Sequence, residues 1–422
     1  MDKNRLTHLN TLSQVNNNKG IKFLHPAASP GSHCPMHTTL ATLLNIKGLS
    51  SLVVGMAECG YYSRFVVDYS NNTKEECHYV YELDSNEVVF GCSSGVKKAV
   101  LQMAEEGAKN IMIIMTCVPG LIGEDPQAII EEISYESDVK VVFVDMAHFK
   151  RNGYKDGYSK TLAALADAIK VQKDSEKSKK PTVNFLGNGG ETECNRLQSI
   201  LKESEIDVLK YGVKLDIEEL NSSLGSQLNI VYSNNYLEFA EKLKEKYEIP
   251  YISLCDAYDL DTVEKRYEKI FKHLDISGEK LENLYTEKKP RIEEFYQKIL
   301  SIKEKKSFII TSPSTLAVPL SVSLIKLGFK PFMLHIEEMD MTNLKWKDKL
   351  LELGEDPYVT YITNKDKITE VLDNEIDIYS LGNCNGIEEK VLLNDQEMIK
   401  IQNLTGFERV LKLLEFIDSR LS

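Results

Sequence analysis

Long apolar runs are missing from this chain. None approaches the roughly 18 residues of a membrane span, and no apolar signal segment opens it. The expected setting is cytoplasmic, away from membranes. Basic charge is also scarce: 51 Lys and Arg stand against 64 Asp and Glu, a net charge of −13. Phosphate-backbone binding needs clustered cations, so nucleic acid is not an expected partner. A protein partner with a complementary basic face remains compatible. No Gly-x-x-x-x-Gly-Lys-Ser/Thr segment is present, so no nucleotide is expected on this chain. The eight cysteines are widely spaced, unlike a disulfide framework, and fit a reducing compartment. The sequons at Asn71, Asn221 and Asn403 then carry no meaning. The one tryptophan, Trp346, reads as unremarkable on a polar helix.

What is present is repetition. At 422 residues and 42% hydrophobic content, the chain can build two or three domains with full cores. Short apolar runs alternate with amphipathic helical stretches. Strands are expected at 51–56, 110–115 and 140–144, then 182–186, 228–232 and 250–254, then 307–311, 331–335 and 376–381. Helices are expected between them, near 94–107 and 126–134 in the first set. This is βαβ repetition, so the fold class is α/β with parallel sheets covered by helices. Three domains are expected, at 1–175, 176–300 and 301–422. Residues 1–20, polar and Asn-rich, read as a loose arm, and Val171 to Lys180 as a linker. A long charged helix is expected over 276–305, and a closing amphipathic helix over 404–420.

Three cysteines carry the chemistry. Cys34, Cys59 and Cys117 each sit in a turn marked by glycine or proline, beside an apolar run. Cys59 follows Leu52 to Met56, and Cys117 follows Ile111 to Met115. Ligands in α/β proteins gather at the carboxyl ends of parallel strands. Two thiols delivered there by separate strands, with a third from a nearby loop, can converge. Three soft thiolates suit an iron–sulfur cluster or zinc. A zinc site from His33, Cys34, His37 and Cys59 is a weaker alternative, because Cys34-Pro35 reads as a turn into a helix starting at Pro35.

The other cysteines have a plainer reading as small buried apolar residues. Cys77 fits it, and so does Cys92, read as ending a strand. Cys194, Cys255 and Cys384 lie at or just after expected strand ends of the second and third sheets, where a second metal site is conceivable. Gly187-Asn188-Gly189-Gly190 follows a strand and reads as a tight turn rather than an anion cradle. Tyr61 and Tyr62, beside Cys59, read as core or interface aromatics.

Around the triad the sequence resembles component 1 of nitrogenase and its relatives. These include light-independent protochlorophyllide and chlorophyllide reductases, the nickel-sirohydrochlorin reductive cyclase and nitrogenase cofactor scaffolds. The resemblance rests on His25-Pro26-Ala27-Ala28 ahead of Cys34, on Cys59 to Arg64, and on Glu82 to Gly91 as a strand ending Val-Val-Phe-Gly. Thr116-Cys117 with Leu121 to Asp125, and the Asn152 to Tyr158 loop, complete it. The cysteine intervals of 25 and 58 residues are those of a β-type subunit of that family. Later, Val183 to Gly187 resembles the strand that opens the family's second domain.

The resemblance implies three Rossmann-like domains around a central cleft. It implies that Cys34, Cys59 and Cys117 ligate an iron–sulfur cluster, 4Fe-4S or P-cluster-like 8Fe-7S, near a subunit interface. The implied assembly is a homodimer or a heterotetramer with a second component 1-like chain, whose subunit supplies the remaining ligands. A P-loop iron protein is the implied electron donor. The implied role is that of a reductase subunit, with a non-catalytic scaffold for metallocluster assembly as the alternative. Two departures bear on it. The segment matching the family's cofactor cysteine reads Asn229 to Asn234 without cysteine, and no histidine follows His335. The usual dinitrogen-reducing cofactor is therefore not expected here. A second metal cofactor would need other ligands, such as Cys194, Cys255 and Cys384.

Overall fold

The computed structural model describes residues 6–25, 34–73, 76–150, 156–169, 180–188, 191–302, 307–312, 316–365, 368, 372 and 378–421. Three sheets organise them. In the first, the order is His78–Glu82, Ser50–Gly55, Asn110–Met115, Lys140–Asp145, all parallel. In the second it is Tyr251–Ser253, Leu228–Val231, Thr182–Leu186, Asp207–Tyr211, again all parallel. The third runs Asn10–Thr11, Tyr358–Tyr361, Lys330–His335, Ser307–Ile310, Ile378–Leu381, Val391–Leu393. Lys22–Phe23 adds alongside Tyr358–Tyr361, and the third sheet is parallel except at Asn10–Thr11. The nine expected strands are all present, with ends within two residues of those expected.

Two central strands, Ser50–Gly55 and Thr182–Leu186, are buried along their whole length. Strands covered on both faces read as continuous apolar runs, which is why they are legible. The first two α/β units are stitched by a two-stranded ribbon, Leu215–Asp216 against Ile46–Lys47. The second and third are joined where Asn234 Nδ2 donates to Asp340 Oδ2 at 2.9 Å. Residues of all three units and of the N-terminal segment, including Asn18, Lys150, Lys160, Glu238, Met339 and Asp340, line one cavity of about 560 Å³.

Several expectations need correction. Residues 6–24 are no loose arm: Leu6, Leu9, Leu12, Val15 and Leu24 are buried. Lys347 Nζ holds the segment by donating to Ser13 O at 3.0 Å, Val15 O at 2.9 Å and Asn16 Oδ1 at 2.7 Å. The polar asparagines had masked an alternation of apolar anchors. Val-Val-Phe-Gly ends no strand: Glu87–Phe90 is a helical turn, and Cys92 caps the Ser93–Glu106 helix that follows. Trp346 is buried rather than unremarkable, its indole N–H donating to Asp256 Oδ2. The single helix expected over 276–305 is two, Gly278–Tyr285 and Lys289–Leu300, the second opening with Pro290 in its first turn. The closing helix runs Gly406–Leu421. The 171–179 part of the expected linker, His33 and Gly189-Gly190 lie outside the described residues. At Gly187 the φ of +90° and the nearby Ser233 backbone, 2.8 Å from where a Cβ would stand, fit the tight-turn reading.

Candidate functional site

Two of the three cysteines are set by the strand order of the first sheet. Ser50–Gly55 and Asn110–Met115 lie side by side, Val54 opposite Met115. The connection from the first leads to a strand on one side of it, and the next crosses to the other side. The gap between these two strands is thus the point where the winding reverses, and crevices form there beyond the carboxyl ends. Each strand then turns into a helix: Ala57–Ser63, whose third residue is Cys59, and Cys117–Ile122, whose first is Cys117. Cys34 comes from outside the sheet, as the residue that caps Pro35–Leu43. The proline start expected there is present.

The three thiols share one neighbourhood. Burial pushes the Cys34 thiol up to about 11, against a lowering hydrogen bond from the Met36 backbone; the nearby Cys117 and Cys59 sulfurs raise it further. The Cys59 thiol donates to Thr116 Oγ1 at 3.6 Å, and Thr116 is the residue before Cys117. The backbone N–H of His148 donates to Cys117 Sγ at 3.3 Å. Cys34, Cys59 and Cys117 are all half-buried, whereas the other five cysteines are buried. Half-burial suits a ligand held in a cleft or at an interface; full burial suits a packing thiol. Among the described residues no three His, Cys, Asp or Glu side chains close tightly enough on one point to hold a single metal ion. A cluster makes a looser demand: thiolates on different irons stand roughly 6–7 Å apart.

Gly55 explains the close approach. A Cβ there would stand 2.8 Å from Cys59 Sγ and would collide with Thr116 Oγ1. Local sequence pattern assigned no role to Gly55 or Thr116. A glycine closing an otherwise bulky strand was the available signal.

The second trio does not assemble. Cys194 lies in the first turn of the Glu191–Glu203 helix and packs in the core between the second and third sheets. Cys255 belongs to the core shared by the first and second units, where burial pushes its thiol up to about 12. Cys384 sits in a separate cluster on the far side of the third sheet. Packed into three separate cores, these thiols do not meet at one metal. Cys77 and Cys92 are buried in the first unit's core as expected.

An apolar surface flanks the triad. Tyr61 and Tyr62 on the Cys59 helix and Phe65 just after it form one aromatic group, the two pairs involving Tyr61 packing edge to face with ring centroids 5.4 Å and 5.8 Å apart. Phe65 is 72% exposed, and Phe90 and Leu121, on two short helices that pack together, are 85% and 71% exposed. Exposed aromatics clustered in this way mark contact surfaces.

Comparison with known proteins bears on this geometry. Residues 34–386 match the family model described as nitrogenase component 1 type oxidoreductase. The nitrogenase iron-molybdenum cofactor biosynthesis protein NifE of Clostridium pasteurianum is 26% identical over 302 residues, 67% of this chain and 63% of that protein. A light-independent protochlorophyllide reductase subunit of Leptolyngbya boryana is 27% identical over 166 residues, 36% of this chain and 32% of its own. The nitrogenase molybdenum-iron protein alpha chain of Methanothermobacter marburgensis is 26% identical over 180 residues, 41% and 38% of the two chains. The matched stretches span less than two thirds of each of these proteins. The solved structure titled "Nitrogenase Cp1 at pH 6.5" superposes with a TM-score of 0.63 at 14% identity, covering 94% of this chain and 93% of that one, a likeness of fold. No helix of the described residues is long and apolar enough to cross a membrane.

Proposed function

The chain belongs to the nitrogenase component 1 type oxidoreductases, and on that premise we propose that it is the iron–sulfur subunit of a nitrogenase-like reductase. The observation that carries this reading is the grouping of Cys34, Cys59 and Cys117, the three half-buried thiols of the chain, around the winding reversal of the first sheet. They would hold an iron–sulfur cluster from one side, and such a cluster supplies one-electron transfer when bound. The donor set fits: soft thiolates, a glycine that keeps the crevice open, and a backbone N–H on one sulfur. The exposed face of Tyr61, Tyr62, Phe65, Phe90 and Leu121 would receive a second component 1-like chain, which brings the remaining ligands and excludes water. The cavity lined by all three units would take the substrate. Its lysines, Lys19, Lys150 and Lys160, stand beside Asp156, Glu238 and Asp340, so it offers paired charges rather than a single-sign field.

A P-loop iron protein would deliver electrons from outside, since this chain has no P-loop. The test is reduction of the anaerobically prepared protein. Iron and sulfide should co-purify, and reduction should require both an iron protein and ATP. Reduction by NADH alone at a comparable rate, or a preparation free of iron after anaerobic reconstitution, overturns the reading. One observation favours a second role. The relative matched over the longest stretch above is named for cofactor biosynthesis, and the family's usual cofactor cysteine is absent from Asn229 to Asn234. On that reading the chain is a scaffold that hands a metallocluster on. Cluster transfer to an acceptor apoprotein without substrate turnover distinguishes it.

A further inference from the structure

Thr116 is buried between Cys59 and Cys117, and its hydroxyl has one proton and two neighbours. It donates to the Val54 carbonyl at 2.7 Å. It also accepts the Cys59 thiol at 3.6 Å. The Val54 carbonyl has a second donor, the backbone N–H of Thr116 itself, at 3.2 Å. If the hydroxyl proton turns away, that carbonyl keeps a partner, so the rotation leaves no buried acceptor unsatisfied.

Metal ligation removes the Cys59 proton. The sulfur then becomes an anionic acceptor with no donor among the described residues, beside a hydroxyl whose proton is held by a carbonyl already served. A hydrogen bond to an ionised group is roughly twice as strong as a neutral one, which favours the turn toward sulfur. The neighbouring ligand already follows this pattern, since Cys117 Sγ accepts the His148 N–H. The contact is built into the fold, because the missing side chain at Gly55 is what lets Thr116 Oγ1 and Cys59 Sγ approach.

We propose that Thr116 is a positioning residue of the iron–sulfur site, whose hydroxyl turns from the Val54 carbonyl to the Cys59 thiolate and raises the reduction potential of the bound cluster. Hydrogen bonds to ligand sulfur withdraw charge from the cluster and so stabilise its reduced form. The inference rests on the cluster reading above and adds a residue to it.

The test uses full-length protein reconstituted anaerobically with iron and sulfide, as wild type, Thr116→Val, Thr116→Ser and Thr116→Ala. Iron content is measured first. Wild type without iron overturns the cluster reading itself, and this inference with it, before any variant is compared. With iron present, all four proteins should load equally. Redox titration followed by electron paramagnetic resonance should place Thr116→Val and Thr116→Ala at more negative midpoint potentials, and Thr116→Ser at the wild-type value. The iron–thiolate stretching bands should shift in D2O for wild type and Thr116→Ser, and lose that sensitivity in the other two. If Thr116→Val or Thr116→Ala titrates with wild type at full iron loading, the hydroxyl does nothing to the cluster. If Thr116→Ser moves as far as Thr116→Val, the methyl group and its packing are responsible. Either result overturns the proposal. Should Thr116→Val fail to fold, Thr116→Ala and Thr116→Ser decide it alone.

Discussion

The indole N–H of Trp346 donates to Asp256 Oδ2 at 2.5 Å, across the join between the second and third α/β units. Arg266 meets the same carboxylate in bidentate fashion, at 2.5 Å and 3.0 Å, and Ser253 Oγ donates to it at 2.5 Å. Burial alone would raise the Asp256 carboxyl, but the Arg266 guanidinium holds it well below the usual carboxylate range. The Arg266 guanidinium also lies 5.8 Å from the Trp346 ring, and Lys349 Nζ lies 4.1 Å from it. The second and third units are therefore held together by a buried carboxylate whose partners come from both.

Removing one partner strands the other in a dry site. Arg266→Ala or Asp256→Ala is expected to cost about 3–5 kcal/mol in urea unfolding. Trp346→Phe, which deletes the indole donor, should cost about 1–3 kcal/mol. Midpoints within error of wild type for all three would show that the network adds nothing to stability.

The same carboxylate sets an acid limb. Its ordinary value is 3.8 and its folded value is lower. As pH falls, the unfolded chain therefore takes up the proton first. The contribution is fully present above about pH 4 and is lost as pH drops toward the folded value. Unfolding measured from pH 6 to pH 2 should show this limb in wild type, and a flatter one in Asp256→Asn. Parallel profiles for the two proteins would assign the acid limb to other carboxylates.

Glu193 caps the closing helix from a distance. Its carboxylate accepts the N–H groups of Phe407 at 2.9 Å and Glu408 at 2.8 Å, together with the Tyr267 hydroxyl at 2.6 Å. Gly406, with φ at +59°, leaves room for it, and a Cβ there would collide with Glu193 Oε1. Gly406→Ala should lower stability by about 1–3 kcal/mol through strain and a broken cap. Calorimetry reads the fall in melting temperature, and an unchanged value counts against the cap.

Lys347 pins the N-terminal segment, which forms one wall of the cavity between the three units. Lys347→Met keeps the stem and deletes the three donors. Amide exchange over residues 12–16 should accelerate by about tenfold or more, since bonds to a charged donor are worth about 1.5–3 kcal/mol. Strand Asn110–Met115 serves as the control, and its exchange should not change. Equal acceleration in both would mean global destabilisation instead of local release.

Replacing any one of Cys34, Cys59 and Cys117 by alanine deletes a thiolate from the proposed cluster site. Each variant should lose most of its iron and sulfide, or convert to a different cluster spectrum, while Cys77→Ala keeps both. Wild-type iron and spectra in all three variants would dissociate the triad from metal binding.

How far the chain could be read depends on burial. Central strands such as Ser50–Gly55 and Asn110–Met115 carry continuous apolar runs, Leu52 to Val54 and Ile111 to Met115, because both faces are covered there, and their pattern is legible without neighbours. His78–Glu82 and Asp207–Tyr211 lie at sheet edges and are partly exposed, so their mixed residues look like loop. The Val-Val-Phe run of Glu87–Phe90 looks like strand but has no sheet position beside it, and it closes as a helical turn whose Val89 and Phe90 are exposed.

The triad divides in the same way. Sequence alone determined that Cys59 and Cys117 follow strands and that Cys34 precedes a proline-started helix, because those are local features of backbone and turn. Tertiary structure decided that the two strands are neighbours, that Gly55 lets Thr116 reach Cys59, and that Cys194, Cys255 and Cys384 face three separate cores. Sheet order and the sharing of cores depend on contacts between residues far apart in the chain. No window of local sequence contains those contacts, so thiols with much the same local setting end as neighbours in one case and in three separate cores in the other.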